Sequence, residues 1–314
     1  MKQKGIFYSI ITLLLLIPIV IYVISYLDMT GSQLGYSKTK MTGEKLSAFV
    51  SSIDDDLPRS LGIIGKQAIA VSIIYIDSNG EPLDDANRRI TEVMMNNTIY
   101  GNPANISRST LLDWAASTAT KGSRYGFITN VSIRNLTITE YDSFHIMVGA
   151  EIIVNSTDSS GKMRLDKRYD ERVQLSIEGF GDPLYTLNTN GLLSRTIKQT
   201  NLTMYGIDAV DTAVAQKLYM PNNDAPSFLD RLEGRLSTSD KYRSQTANII
   251  GIETFVQTQE LSSVGLPIKQ SQSDIDHYYF SSSSYTGSPV NGSAYSWLRL
   301  DSGHAAFYGV SLAS

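Results

Sequence analysis

Apolar positions follow three rhythms along this chain, and each predicts a different kind of element. The first is unbroken: Gly5 to Leu27 carries no charge and contains Ile-Ile-Thr-Leu-Leu-Leu-Leu-Ile-Pro-Ile-Val-Ile-Tyr-Val-Ile. About 20 such residues let a helix cross a bilayer, so 6–27 reads as a transmembrane helix behind a short N-terminus at 1–5. Pro18 lies mid-span, where a kink and a freed carbonyl are expected. The second rhythm runs in steps of three and four through Leu46, Phe49, Val50, Ile53, Leu57, Leu61, Ile64, Ala68, Val71, Ile74 and Tyr75. It predicts a helical stalk over 28–76 with one apolar face. Pro58 interrupts it, which predicts a kink or two helices meeting at Leu57-Pro58.

The third rhythm is strict alternation. Phe144, Ile146, Val148, Ala150, Ile152 and Val154 take one parity, and Tyr169, Glu171, Val173, Leu175 and Ile177 do the same further on. Asp158-Ser159-Ser160-Gly161 joins the two runs as a hairpin loop. An earlier strand over 127–139 carries Val131 and Ile133 on one parity but Leu136 and Ile138 on the other, which predicts a bulge or a second buried face. Before the strands, Asp77-Ser78-Asn79-Gly80 reads as a turn and 84–97 as a short helix. A further helix is expected to run to about Lys121, capped by Ser107 or Ser109. These elements form an α+β unit at 77–180. The break at Gly179-Phe180-Gly181-Asp182-Pro183 opens a second α+β part at 181–314. There we expect a strand near 192–197, helices at 208–218 and about 228–236, and Ser/Tyr-rich strands and loops from Thr254 onward.

Composition narrows the setting. At 314 residues with a net charge of -4 and no basic block, nucleic acid is not an expected partner. The chain has no cysteine, so neither disulfides nor thiol chemistry are available, and a packed core must hold any exported part together. Lys2 and Lys4 before the apolar run favour a cytoplasmic N-terminus, with Asp28 and all that follows outside the membrane. Asn-x-Ser/Thr triplets begin at Asn96, Asn105, Asn130, Asn135, Asn155, Asn201 and Asn291; if used for N-glycosylation, they mark an exposed extracytoplasmic surface.

The N-terminus also supports a more specific reading. Lys4-Gly5 followed at once by the apolar run resembles the class III signals of type IV pilin-like proteins. That resemblance implies cleavage after Gly5, leaving Ile6 first and the apolar helix as the spine of the subunit. Bacterial members carry a glutamate five residues past the cut, where this chain has Ile10. A plain uncleaved signal anchor is the other reading, since no small-residue cleavage pattern follows the span. The whole layout is similar to single-pass surface proteins of archaea, which join a Lys/Arg-Gly motif, a membrane helix and a large Ser/Thr-rich outer region. The implied fold is pilin-like, a long helix packed on an antiparallel sheet.

Candidate chemistry is sparse. Asp54-Asp55-Asp56 reads as a solvated face, and His145 as an exposed strand residue. Asp274-Ile275-Asp276-His277 holds metal-ligand types, but capping or turn chemistry accounts for it. Asp301-Ser302-Gly303-His304 sets three triad types side by side, which by itself supplies no convergence in space, and reads as a loop closing the last strand. No phosphate loop, nucleophile elbow or His-Glu-x-x-His motif occurs. The expectation is therefore a non-enzymatic membrane protein with no cofactor, catalytic residue or metal ligand. Its partners would be the lipid bilayer and other envelope or pilin-like proteins, and its role structural or interactive in the envelope. A tethered binding module for carbohydrate or another extracellular ligand is the alternative, suggested by the tyrosine-rich C-terminal third. An envelope hydrolase comes third, and requires Asp276, His277, Asp301 and His304 to converge.

Overall fold

In the computed structural model, which describes residues 3–104, 109–202 and 205–313, helix and antiparallel sheet are mixed. One helix, α1 (Gln3–Asn79), includes both Pro18 and Pro58, so the division into two helices at Leu57-Pro58 does not occur. The reason is packing. Ile53, Leu57 and Leu61 around the proline are buried in one core, and that burial outweighs the single ladder bond a proline removes. At about 1.5 Å per residue, α1 is about 115 Å long.

Its environment changes along that length. Leu13 to Leu27 contribute large apolar side chains that are between 43% and 71% exposed. The described side chains of 28–41 are also exposed, except Thr30, whose hydroxyl donates back to the Tyr26 carbonyl. From Phe49 onward one face is buried, through Ile53, Leu57, Leu61, Ile64, Ala68, Val71 and Ile76. Ile74, expected on that face, is exposed instead, while Ile73 is buried. The predicted turn at 77–80 is the last turn of α1 and its stop: Gly80 takes φ +67° and its N–H bonds the Ile76 carbonyl at 2.8 Å.

Two shorter helices follow. Helix α2 (Ala86–Asn96) is capped by Asp85, and a two-residue hairpin, β1 (Thr98–Ile99) with β2 (Asn102–Pro103), leads on from it. Helix α3 (Leu111–Tyr125) is capped by Thr110, not by Ser109, and Ser107 lies outside the described residues. Thr110 wins because it closes a reciprocal box: its hydroxyl accepts from the Asp113 N–H, and the Asp113 carboxylate accepts from the Thr110 N–H. The acidic triplet is partly paired, Asp56 with Lys121 at 3.1 Å and Asp54 with Lys167 at 2.7 Å.

The main sheet is β3 (Phe127–Asp142), β4 (His145–Asp158) and β5 (Arg164–Ser176), antiparallel in that order. Its register sets Ile146 opposite Leu175 and Val148 opposite both Ile138 and Val173, so one parity of β4 and β5 is buried. The expected bulge is present between Arg134 and Thr137, with Asn135 at φ 47°. It lets Val131 and Ile133 on one side, and Leu136 and Ile138 on the other, all pack on the same core. Gly65 of α1 sits so close to this face that a Cβ there would lie 2.6 Å from the Leu175 side chain.

Past Gly181 the elements are short: α4 (Pro183–Asn188), α5 (Ile207–Gln216), β6 (Met220–Pro221), α6 (Phe228–Leu232), α7 (Asp240–Arg243) and β7 (Ile252–Glu253). After these come α8 (Thr258–Ser263), α9 (Asp276–Phe280), β8 (Ser288–Pro289), β9 (Arg299–Leu300) and α10 (Ser302–Phe307). The strand expected near 192–197 is absent apart from one bridge, Thr196 to Gly181. Arg195 turns inward there, bonding the Phe255 carbonyl and the Glu260 carboxylate, so side-chain bonds replace a ladder. Tyr219, Phe228, Leu229, Leu232, Tyr242 and Ile252 join the same core cluster as α1 and the sheet.

Candidate functional site

The second part is centred on buried polar groups. Helix α6 begins with a capping box between Ser227 and Asp230, which orients the turn carrying Arg231. The Arg231 side chain is fully buried, with one guanidinium nitrogen 2.7 Å from Asp182 and 2.9 Å from Asp276. Its other terminal nitrogen donates to the Ile252 carbonyl, and the Tyr219 hydroxyl donates to Asp182 at 2.8 Å. Arg231 thereby draws the start of α4, β7 and the start of α9 onto one point.

Beside this centre lies a second cluster built from three elements. Glu253 comes from β7, His277 from α9 and His304 from α10. All three are buried, and one ligand atom of each lies within 4.8 Å of the others. Helix α10 is capped by Asp301, whose Oδ1 accepts from the Gly303 and His304 N–H groups. The other oxygen of Asp301 stands 2.7 Å from His304 Nδ1, leaving Nε2 to face Glu253 at 3.3 Å. Glu253 also accepts from Asn222 at 2.7 Å and from the Tyr308 hydroxyl. His277 repeats the arrangement less tightly: Nδ1 is 3.4 Å from Asp276, and its buried Nε2 has no hydrogen-bond partner among the described residues. The two imidazole centroids are 5.9 Å apart, and Tyr278 packs edge-on against His304 at 4.8 Å.

Electrostatics follow from this geometry. Burial alone would push the His304 imidazole down, but the Asp301 and Glu253 carboxylates more than offset it and raise it to about 10. Burial likewise works against the Asp301 carboxylate, yet His304 and the backbone N–H groups hold it well below the usual range. Asp276 is held at about 2, where Arg231 and His277 overcome its burial.

Asp276, His277, Asp301 and His304 do converge, as a hydrolase would need, but not in an open cleft. Ser273 lies alongside, yet its hydroxyl donates to the Asp301 carboxylate at 2.9 Å and not to an imidazole, so no nucleophile–base pair is formed. Two surface grooves, of about 540 and 430 Å³, lie elsewhere, beside Arg88, Glu92 and Tyr100 and beside Glu178, Arg195 and Lys217. Side-chain capping is not found where it was expected: α9 starts behind Ile275 without a side-chain cap, Asp274 accepts from the Arg299 N–H, and Asp276 accepts from the His277 N–H. The cap lies instead at Asp301, in the stretch expected to be a loop, which is the start of α10. What the arrangement offers chemically is two imidazole nitrogens and a carboxylate close together in the buried interior.

The sequon asparagines are dispersed. Asn96, Asn130, Asn135, Asn201 and Asn291 are exposed, Asn155 is half-buried in β4, and Asn105 lies outside the described residues. Lys4, Gly5 and Ile6 belong to the first turns of α1, and their side chains lie outside the described residues. His145 is half-buried and bonds Asp142 at 2.9 Å. Sequence reasoning had singled out the Asp-His and Asp-x-x-His pairs but missed Glu253, Arg231, Asp182 and Tyr308. Asp182 belongs to the Gly179–Pro183 break and Arg231 to a predicted helix, but no local spacing links any of the four to the Asp–His pairs. Comparison of the chain with known protein families, with curated proteins and with solved structures finds no match.

Proposed function

We propose that this is a membrane-anchored extracytoplasmic protein with a structural or interaction role in the cell envelope, its N-terminus on the cytoplasmic side. The observation that carries the reading is the continuity of α1. One helix leads from a fully exposed apolar segment, through a polar stretch, into the core of the folded body. The apolar segment is long enough to cross a membrane, and none of its described side chains is buried by the protein. The exposed stretch at 28–41 would hold the body about 20 Å off the bilayer. A helix shared between membrane and body transmits orientation and force, which a flexible linker does not. That coupling, with a long helix laid on an antiparallel sheet, is what supports the pilin-like form of the proposal. Lys2 and Lys4 support the orientation, and the exposed sequon asparagines agree with an outer location for the body.

A tethered binding module is the second reading. Tyr205 and Phe307, 44% and 42% exposed with rings 5.2 Å apart, offer a small aromatic surface. Against it, Tyr185, Tyr219, Tyr242, Tyr279 and Tyr308 are all buried. Intact mass and N-terminal sequencing of protein taken from its native membrane tests the proposal. A mature chain starting at Ile6 supports pilin-type processing and assembly, and one starting at Met1 supports a plain anchor. A soluble chain starting beyond Leu27 overturns the anchored reading.

A further inference from the structure

We propose that Glu253, His277 and His304 bind one divalent transition-metal ion, with zinc the best match to the donors, and that the ion pins together the C-terminal part of the chain. Imidazole nitrogen with a single carboxylate suits zinc and its first-row neighbours, whereas calcium and magnesium call for oxygen donors. Two histidines and a glutamate form a recurrent zinc ligand set, with a water molecule completing the tetrahedron.

Three features of the geometry point to an ion over an ordinary polar core. The first is the surroundings of the ligands. Asp301 sits on His304 Nδ1 and Asp276 on His277 Nδ1, so both rings are oriented with Nε2 turned away from these carboxylates, that of His304 towards Glu253 and that of His277 without a partner among the described residues. A carboxylate behind each ligating imidazole is the usual outer support of a metal site, where it sets the tautomer and strengthens the donor. The second is the unpartnered His277 Nε2, in a side chain only 2% exposed. Buried polar atoms are almost always satisfied, and one left without a partner asks for an ion or a water. The third is spacing. Tetrahedral ligands at zinc bonds of about 2.0–2.1 Å stand about 3.3 Å apart. His304 Nε2 and Glu253 are already 3.3 Å apart, and the three ligand atoms lie within 4.8 Å, so small side-chain rotations close the site.

The position of the cluster tells what the ion would do. Its ligands come from a two-residue strand and two helices of five and six residues, none long enough to be stable alone. The chain has no cysteine, so no disulfide can tie these elements together. A buried ion held by all three supplies the missing cross-link and converts binding energy into folding energy.

The test uses the full chain in detergent, stripped with a chelator and then offered zinc or, as a spectroscopic probe, cobalt(II). After dialysis we expect one zinc per chain, a Tm raised by about 5–10 °C over the stripped protein, and a tetrahedral cobalt spectrum. His277→Gln is expected to lose the bound zinc and the zinc-dependent Tm shift. The variant also loses the Nδ1 contact with Asp276 and the ring packing on Tyr278, so its metal-free Tm is expected to fall and the readout is the zinc-dependent shift, not the baseline. His145→Gln, on β4 and outside the cluster, should keep both. Should His277→Gln fail to fold, the wild-type arms still decide through stoichiometry, the cobalt spectrum and reversal of the Tm shift by chelator. A wild-type chain that retains no zinc and whose Tm ignores both zinc and chelator overturns the proposal, leaving His304 as an imidazolium between two carboxylates. Equal zinc retention by His277→Gln overturns it too.

Discussion

The two parts of the folded body reach a packed interior by opposite routes. Up to Ile177, long elements satisfy their own backbone, 77 residues in one helix and up to 16 in a strand, so the space between them fills with Phe49, Leu57, Leu61, Ile146, Val148 and Ile152. Past Gly181 the strands are two residues long, and most of the buried polar side chains of the described chain lie there, among them Asp182, Arg195, Arg231, Glu253, Asp276, His277 and His304. Short elements leave many backbone groups without a ladder, and buried side chains must meet them. Regular structure permits an oily core; irregular structure demands a polar one.

The contrast breaks first at Arg231. Arg231→Met leaves Asp182 and Asp276 buried without their cation and should cost about 3–5 kcal/mol, measured by chemical denaturation. A loss below about 1 kcal/mol would mean that the polar centre does not hold the second part together. On the other side, Leu61→Ala removes only apolar contact and leaves a cavity between α1 and the sheet. About 3 kcal/mol is expected, without the dependence on pH or salt that a charged centre shows. A pronounced salt dependence of that loss would blur the distinction between the two interiors.

The smallest expected effect sharpens the comparison at the seam. Glu140, on β3, is buried and accepts the Leu229 N–H of α6 at 2.9 Å, so it joins the two parts. Burial, with Asp230 and Asp142 nearby, pushes its carboxyl up to about 8, despite the bonds from Leu229 and Ser227. A raised carboxyl pKa means the folded state holds the proton more tightly than the unfolded chain. Stability from this group is therefore full below the ordinary 4.5 and falls as pH rises to about 8. Glu140→Gln should remove that slope, so that the variant gains steadily on wild type as pH rises from about 5 to about 8. Parallel pH profiles for the two proteins would show that Glu140 is not protonated at the seam.

Much of the first part was legible in advance, for a local reason. The stripe of α1, the alternation of β4 and β5, the bulge near Asn135 and the apolar run before Leu27 are all written in spacings of two to four residues, the periods of the elements themselves. One cap was legible to within a residue: Thr110 took the place expected for Ser109 because its box with Asp113 is reciprocal, whereas Asp301, a cap in the fold, lies in a stretch that reads as a loop.

Where the period ended, so did prediction. Pro58 argued for a break that burial of Leu57 and Leu61 on either side of it overrules, and Arg195 turned a predicted strand into a side-chain tether. The meeting of Glu253, His277 and His304 left no trace in the sequence beyond two Asp–His pairs, because residues on separate short elements have no shared repeat. Sequence alone determined the long helices and strands of the first part and which stretch is apolar enough for a membrane, since those depend on neighbours along the chain. Only the tertiary structure decided that α1 passes through its prolines as one helix, and that a carboxylate and two imidazoles face one another. Both depend on burial and on contacts between elements distant in sequence.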